Sequence, residues 1–281
     1  METILCPADF SLCSQNAVKY AHELAQLMRA RLLLFHWEPA TAKPVAVLSN
    51  GQEYADQLHD APDQPHQLEA LALKLKNDYP ESTVPVEVIP PGGPGGDTLT
   101  ELFRQEKIDL VIVGYDMQEE FQQTFTATDL AVTIEKASCP VLIIPQQATF
   151  KPIWKIVYAT DLKSEPAADC AFLLRLAHLF NAEIMLLHVL AQDGAGAREL
   201  AIEALQKVYS KLPYRNVSFY IEASEVVEAG ISEFISKNNA DMLVVSNHPR
   251  KKCQHLLAGK FPHNTAYHMQ LPLLIRQTSA Q

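Results

Sequence analysis

Two aspartates are the first residues whose type and place could do chemistry. Asp9 in "ILCPADFS" and Asp161 in "IVYATDLK" each follow a short apolar run. A carboxylate there can accept hydrogen bonds from a base or a sugar, or it can cap the helix that follows. The second candidate is "SNHPRKKCQHLLAGK", Ser246 to Lys260, with Arg250, Lys251, Lys252 and Lys260 and no acidic residue. A loop that leaves a parallel strand and opens a helix turns backbone N–H groups outward, which suits a phosphate. Its counterpart earlier in the chain is "GYDMQEEFQQTFTATD", Gly114 to Asp129, which carries Asp116, Glu119 and Glu120. Those charges repel phosphate.

Other chemistries fit the same residues less well. His248, His255, His263 and His268 with Cys253 are spaced by gaps that match no compact zinc pattern. "GGPGG", Gly92 to Gly96, lacks the lysine of a P-loop, since Asp97 follows it; a turn capped by Asp97 at a helix start is expected instead. His36 and His188 each end an apolar run and read as crevice-edge or core histidines rather than bases. No Ser-His-Asp pattern or nucleophile elbow stands out, so no enzyme activity is expected.

The elements that position these residues are written twice. "ILCPADFS" and "IVYATDLK" lie 152 positions apart, as do "LLLFH" and "IMLLH". "DLVIVG" and "DMLVVS" lie 132 apart, as do "PVLII" and "PLLIR". The first copy therefore carries 20 extra residues, placed between His36 and about Gln67. Each copy alternates apolar strand runs with helical periodicity. The first helix buries Ala17, Tyr20, Ala21, Leu24, Leu27 and Met28, and the fourth and fifth strands run Leu110 to Val113 and Val141 to Ile144, or Met242 to Val245 and Leu273 to Ile275. Alternation of this kind predicts parallel crossover units, and near-continuous apolar strands predict a sheet covered on both faces. The fold class is α/β: two tandem doubly wound five-stranded parallel-sheet domains, at 1–147 (with an insertion at about 39–66) and 152–278. Ligands of such sheets sit beyond the carboxyl ends of the strands at the switch point.

Bulk composition narrows the function classes. The chain has 281 residues, 48% apolar, with a formal charge of −10. That charge argues against a nucleic-acid binder. It is uneven: residues 1–149 hold 9 basic against 21 acidic residues, and 150–281 hold 14 against 12. A polyanion site therefore favours the second half. Five cysteines without Cys-x-x-Cys spacing read as reduced and intracellular, and neither a signal peptide nor a membrane-length apolar run is visible. A cytoplasmic protein is expected.

"ILCPADFSLCSQNAVKYAHELAQLMRARLLLFHW" and "DLVIVG…ASCPVLIIP" resemble the universal stress protein family in its tandem form. The resemblance covers nearly the whole chain, twice, and implies an adenine nucleotide alpha hydrolase-like fold. It implies an internal pseudo-dimer through the fifth strands, Val141 to Ile144 and Leu273 to Ile275, with a homodimer also compatible. It also implies adenine-side carboxylates at Asp9 and Asp161, and a Gly-x2-Gly-x9-Gly-Ser/Thr phosphate motif after strand four. In the first copy those positions are Gly114, Met117, Ala127 and Thr128; in the second, Ser246, Pro249, Gly259 and Lys260. Neither copy is intact, and Pro249 removes a donor. The relatives' Ser-Gly-Gly-x-Asp-Ser-like pyrophosphatase turn is not matched by "PADFSL" or "ATDLKS". The expected function is stress response through nucleotide sensing, with ATP or AMP as ligand. Its candidate residues are Thr160, Asp161, Ser246, Arg250, Gly259 and Lys260, and more weakly Ala8, Asp9, Gly114 and Thr128 in the first copy. The alternative is a scaffold with degenerate sites that acts through protein partners. Neither metal, nucleic acid nor membrane is expected as a partner.

Overall fold

The structure is a computed structural model, and it describes residues 1–36, 64–89, 95–115, 127–162, 170–191, 194–247 and 271–277. The first half runs β1 (Thr3–Ala8), α1 (Leu12–Met28), β2 (Arg31–His36), α2 (Gln64–Asp78), β3 (Val86–Ile89), α3 (Gly95–Gln105), β4 (Leu110–Gly114), α4 (Ala127–Lys136) and β5 (Val141–Ile144). The second runs β6 (Lys155–Ala159), α5 (Ala171–Phe180), β7 (Glu183–Leu190), α6 (Ala195–Lys211), β8 (Val217–Ala223), α7 (Val227–Asn238), β9 (Met242–Asn247) and β10 (Leu273–Gln277). The second copy's segment between β9 and β10, where a fourth helix is expected, lies outside the described residues, as do 37–63 of the first-copy insertion.

The ten strands of the described residues form one sheet in the order β3-β2-β1-β4-β5-β10-β9-β6-β7-β8. Each half is parallel throughout, with β1 between β2 and β4, and β6 between β7 and β9. The halves meet where β5 and β10 pair antiparallel, Ile143 opposite Leu273, Leu142 opposite Leu274 and Val141 opposite Ile275. These are the strands expected at the interface. They pair because each is the last strand of its copy and both copies are apolar there, so two open edges become one buried seam.

The strands' period of two sorts the core into layers. Ile4, Cys6, Leu32, Leu34, Ile112 and Ile144, with Ile156, Tyr158 and Leu186 of the second half, pack beneath α1, α2, α5 and α6. Leu5, Leu33, Phe35, Val111, Val113 and Ile143, with Val157 and Leu187, pack beneath α3, α4 and α7. In α1 the expected face holds except at Leu27, which is 47% exposed. At 100° per residue Leu27 stands about 80° around the helix from Ala17 and turns off the stripe. α3 begins at Gly95, so Asp97 lies inside its first turn rather than ahead of it.

Repeated details mark the two copies as one design. α1 and α5 end on left-handed residues, Arg29 and Asn181, each at φ 53°, whose N–H groups bond back to the last carbonyls. Asp109 accepts from Thr3 N (2.9 Å), and Asp241 accepts from Trp154 N and Lys155 N (2.9 and 3.1 Å). Both carboxylates thereby tie the start of strand four to the start of strand one. The connection between halves is packed: Phe150 lies edge-on to Tyr20, Asn16 donates to the carbonyls of Pro145 and Ala148, and Arg175 of α5 pairs with Glu2. Among the described residues no helix is long and apolar enough to cross a membrane.

Candidate functional site

In each half the crevice opens where the first and fourth strands end beside each other. In the first half β1 delivers Ala8 and Asp9 to its rim. Ala8 is fully buried and its carbonyl accepts from His36 Nδ1 at 3.0 Å. A carbonyl only accepts, so Nδ1 carries the proton in that tautomer and Nε2 is left as the ring's acceptor. Asp9 does not cap α1 itself. Ser11 is the cap and accepts from Ser14 N at 3.1 Å, while Asp9 Oδ1 accepts from the Ser11 hydroxyl at 2.6 Å and from Ser11 N at 3.0 Å. The serine hydroxyl thus bridges the carboxylate to the helix start. One face of the aspartate's hydrogen-bonding capacity is spent on the first turn of α1.

The second half repeats the frame with different fittings. His188 Nδ1 donates to Thr160 O at 2.8 Å. Thr160 Oγ1 accepts from Leu162 N at 3.1 Å, closing the turn that carries Asp161. By the 152-residue offset, Lys163 is the sequence counterpart of Ser11, and it lies outside the described residues. Asp161 is half-buried at the rim.

Both turns hold a bulky residue in the left-handed region: Phe10 at φ 63° and Leu162 at φ 62°. Such backbone costs about 1–3 kcal/mol where glycine is absent, and it persists only when the surroundings enforce it. In the first half two enforcing contacts are visible. The Phe10 ring stacks on His36, centroids 5.1 Å apart at 18°, and Gln15 Nε2 donates to the Phe10 carbonyl at 2.9 Å. Nothing in the sequence signals either kink, because phenylalanine and leucine are poor left-handed formers.

Gly114 ends β4 against the first turn of α1. A Cβ there would stand 2.5 Å from Cys13 O and 2.8 Å from Ser14 N, both backbone atoms. Close packing alone therefore accounts for this glycine. Its counterpart Ser246 fits in the second half, where its hydroxyl lies 3.1 Å from the Tyr158 hydroxyl. In the first copy Cys6 stands where Tyr158 does, so that pair is particular to the second site.

The structure brings Ala8, Asp9 and Gly114 to one crevice and Thr160, Asp161 and Ser246 to the other. Thr128 falls in the first turn of α4, with its side chain outside the described set. Arg250, Gly259 and Lys260 lie outside the described residues, as do Cys253 and the four histidines of the second loop. Among the described residues there is no group of three or more metal-ligating side chains.

The class these features define is a tandem α/β protein with one switch-point crevice per half and a continuous sheet between them. The universal stress protein family model matches residues 1–145 and 153–276, and the chain belongs to that family. No curated protein matches the chain. Among solved structures it is similar to a universal stress protein from Archaeoglobus fulgidus, with 13% identity, a TM-score of 0.66 and 97% of each chain covered. It is also similar to a putative universal stress protein from Pseudomonas aeruginosa, with 16% identity, a TM-score of 0.56, and 99% of this chain and 93% of that one covered. At a TM-score of 0.55 it resembles the cytoplasmic domain of a prokaryotic cation chloride cotransporter, at 11% identity over 98% and 94% of the two chains. At these identities the likenesses speak to the fold.

Proposed function

We propose that this stress-response protein binds one adenine nucleotide, in the crevice of its second half, and does so without turning it over. The observation that supports this most is the charge split: residues 1–149 hold 9 basic against 21 acidic residues, and residues 150–281 hold 14 against 12. Lys163, the sequence counterpart of Ser11, adds a cation near Asp161 in the chain, which favours an anionic ligand. Thr160 and Asp161 would meet the base and ribose, and Ser246 would line the floor. Arg250 and Lys260 would supply charge for the phosphates where Pro249 offers no amide. Charge can replace amides there, with less exact geometry. The acidic first-half segment, with Asp116, Glu119 and Glu120, disfavours the same ligand.

Ser246 and Pro249 at glycine positions favour the competing reading, a scaffold that works through protein partners. Comparing Lys260→Ala with the parent chain in an ATP titration separates the two. Weakened binding supports the nucleotide site. Unchanged affinity moves the phosphates elsewhere, and absence of any binding decides for the scaffold. Free phosphate measured over hours with ATP present is expected to stay at the background rate; release above it would make the protein a hydrolase.

A further inference from the structure

The ten-stranded sheet has two outer strands, and they are built differently. β3 is four residues long, follows Pro85, and engages Glu87 in an ion pair with Arg31 at 3.5 Å. Short length, charge and proline are the means by which natural sheets discourage edge-to-edge association. β8 is seven residues long, contains no proline, and leaves Phe219 43% exposed. Among the described residues no strand pairs with its outer side.

The backbone of β8 alternates in direction. Asn216 O accepts from Ile184 N at 2.9 Å, and Ser224 N donates to Leu190 O at 3.0 Å, so the even-numbered residues bond to β7. The period of two then turns the N–H and C=O groups of Val217, Phe219, Ile221 and Ala223 outward. We propose that a second copy of this chain pairs antiparallel on β8, about a two-fold axis through Tyr220. In that register each outward residue meets another: Val217 faces Ala223 and Phe219 faces Ile221, and each pair exchanges two hydrogen bonds. The same axis sets Arg215 opposite Glu225. Both are exposed, and neither makes an ion pair within its own chain among the described residues. A two-fold contact presents every such pair twice. A slip of one residue sets outward groups against groups already used by β7, and a slip of two parts Arg215 from Glu225. Hydrogen bonding and charge therefore select one register. This contact is separate from the β5–β10 seam and leaves both crevices open.

Sedimentation velocity of the full chain over a concentration series tests the proposal. A reversible monomer–dimer equilibrium is expected. Phe219→Pro removes an outward N–H without breaking the ladder to β7, and is expected to give monomer only with an unchanged circular dichroism spectrum. Arg215→Glu converts two attractive pairs into like-charge pairs and is expected to raise the dimer dissociation constant by about tenfold. Adding Glu225→Arg to it restores association. A chain that stays monomeric throughout overturns the proposal, and so does a dimer indifferent to charge reversal. Arg215 and Glu225 lie outside the strand, so the charge variants decide the matter even if the proline variant does not fold.

Discussion

His188 Nδ1 donates to the carbonyl of Thr160 at 2.8 Å, and 152 residues earlier His36 Nδ1 donates to the carbonyl of Ala8 at 3.0 Å. In both halves a histidine of the second strand, the last residue of β2 and the third from the end of β7, thereby bonds the carbonyl at the end of the first strand, where the crevice begins. The bond also sets which way the ring lies and which nitrogen is presented outward.

Loss of that donor leaves a carbonyl without its partner at the crevice floor. His188→Leu is expected to lower the unfolding free energy by about 1–3 kcal/mol, the cost of a stranded buried polar group. His36→Leu is expected to do the same, with the added loss of the Phe10 stack. Urea titration followed by circular dichroism measures both, and an unchanged midpoint in either variant would contradict the role assigned to the ring.

The two glycine-motif positions separate packing from binding. Gly114→Ala forces a methyl group to 2.5 Å from Cys13 O, so the first turn of α1 must shift. A loss of about 1–3 kcal/mol is expected, as for overpacked cores. Ser246→Ala removes only the hydroxyl that meets Tyr158 and is expected to cost about 1 kcal/mol. Thermal unfolding of the pair checks the order; equal effects would mean that the two strand ends are packed alike.

His22 gives stability a pH dependence. It is 2% exposed, with Nε2 bonded to Ser82 Oγ at 2.9 Å and Nδ1 buried without a partner among the described residues. Burial lowers its pKa from the ordinary histidine value, against a smaller upward pull from Glu23. Folding therefore favours the neutral ring. This contribution is complete above the unfolded-state value of about 6.5 and is lost as pH falls below it toward the folded value. Unfolding measured between pH 7.5 and about 5.5 is expected to show a falling midpoint in the parent chain and a flatter curve in His22→Gln. A parallel decline in both would assign the dependence to another group.

The architecture was legible from the sequence because the same signals occur twice at fixed offsets. Val141–Ile144 and Leu273–Ile275 read as fifth strands from their apolar runs, and the resemblance to the family named them as the seam that the register of Ile143 with Leu273 displays. The local chemistry of the crevices was less legible. Asp9 fitted a cap or a ligand equally, and only the geometry shows Ser11 as the cap with Asp9 behind it. Phe10 and Leu162 gave no sign of left-handed backbone, since the surroundings impose a conformation that these side chains disfavour. Leu27 was expected in the core by its spacing from Leu24 and is turned to solvent in the last turn of α1.

The central claim is that the second half alone takes a nucleotide, and calorimetric titration of ATP into three proteins tests it most directly. The parent chain and Asp9→Ala are both expected to bind one ATP per chain with similar affinity, and Asp161→Ala is expected to lose most of that binding. No heat from the parent chain at high micromolar ATP would contradict the account, as would binding that follows Asp9 instead of Asp161.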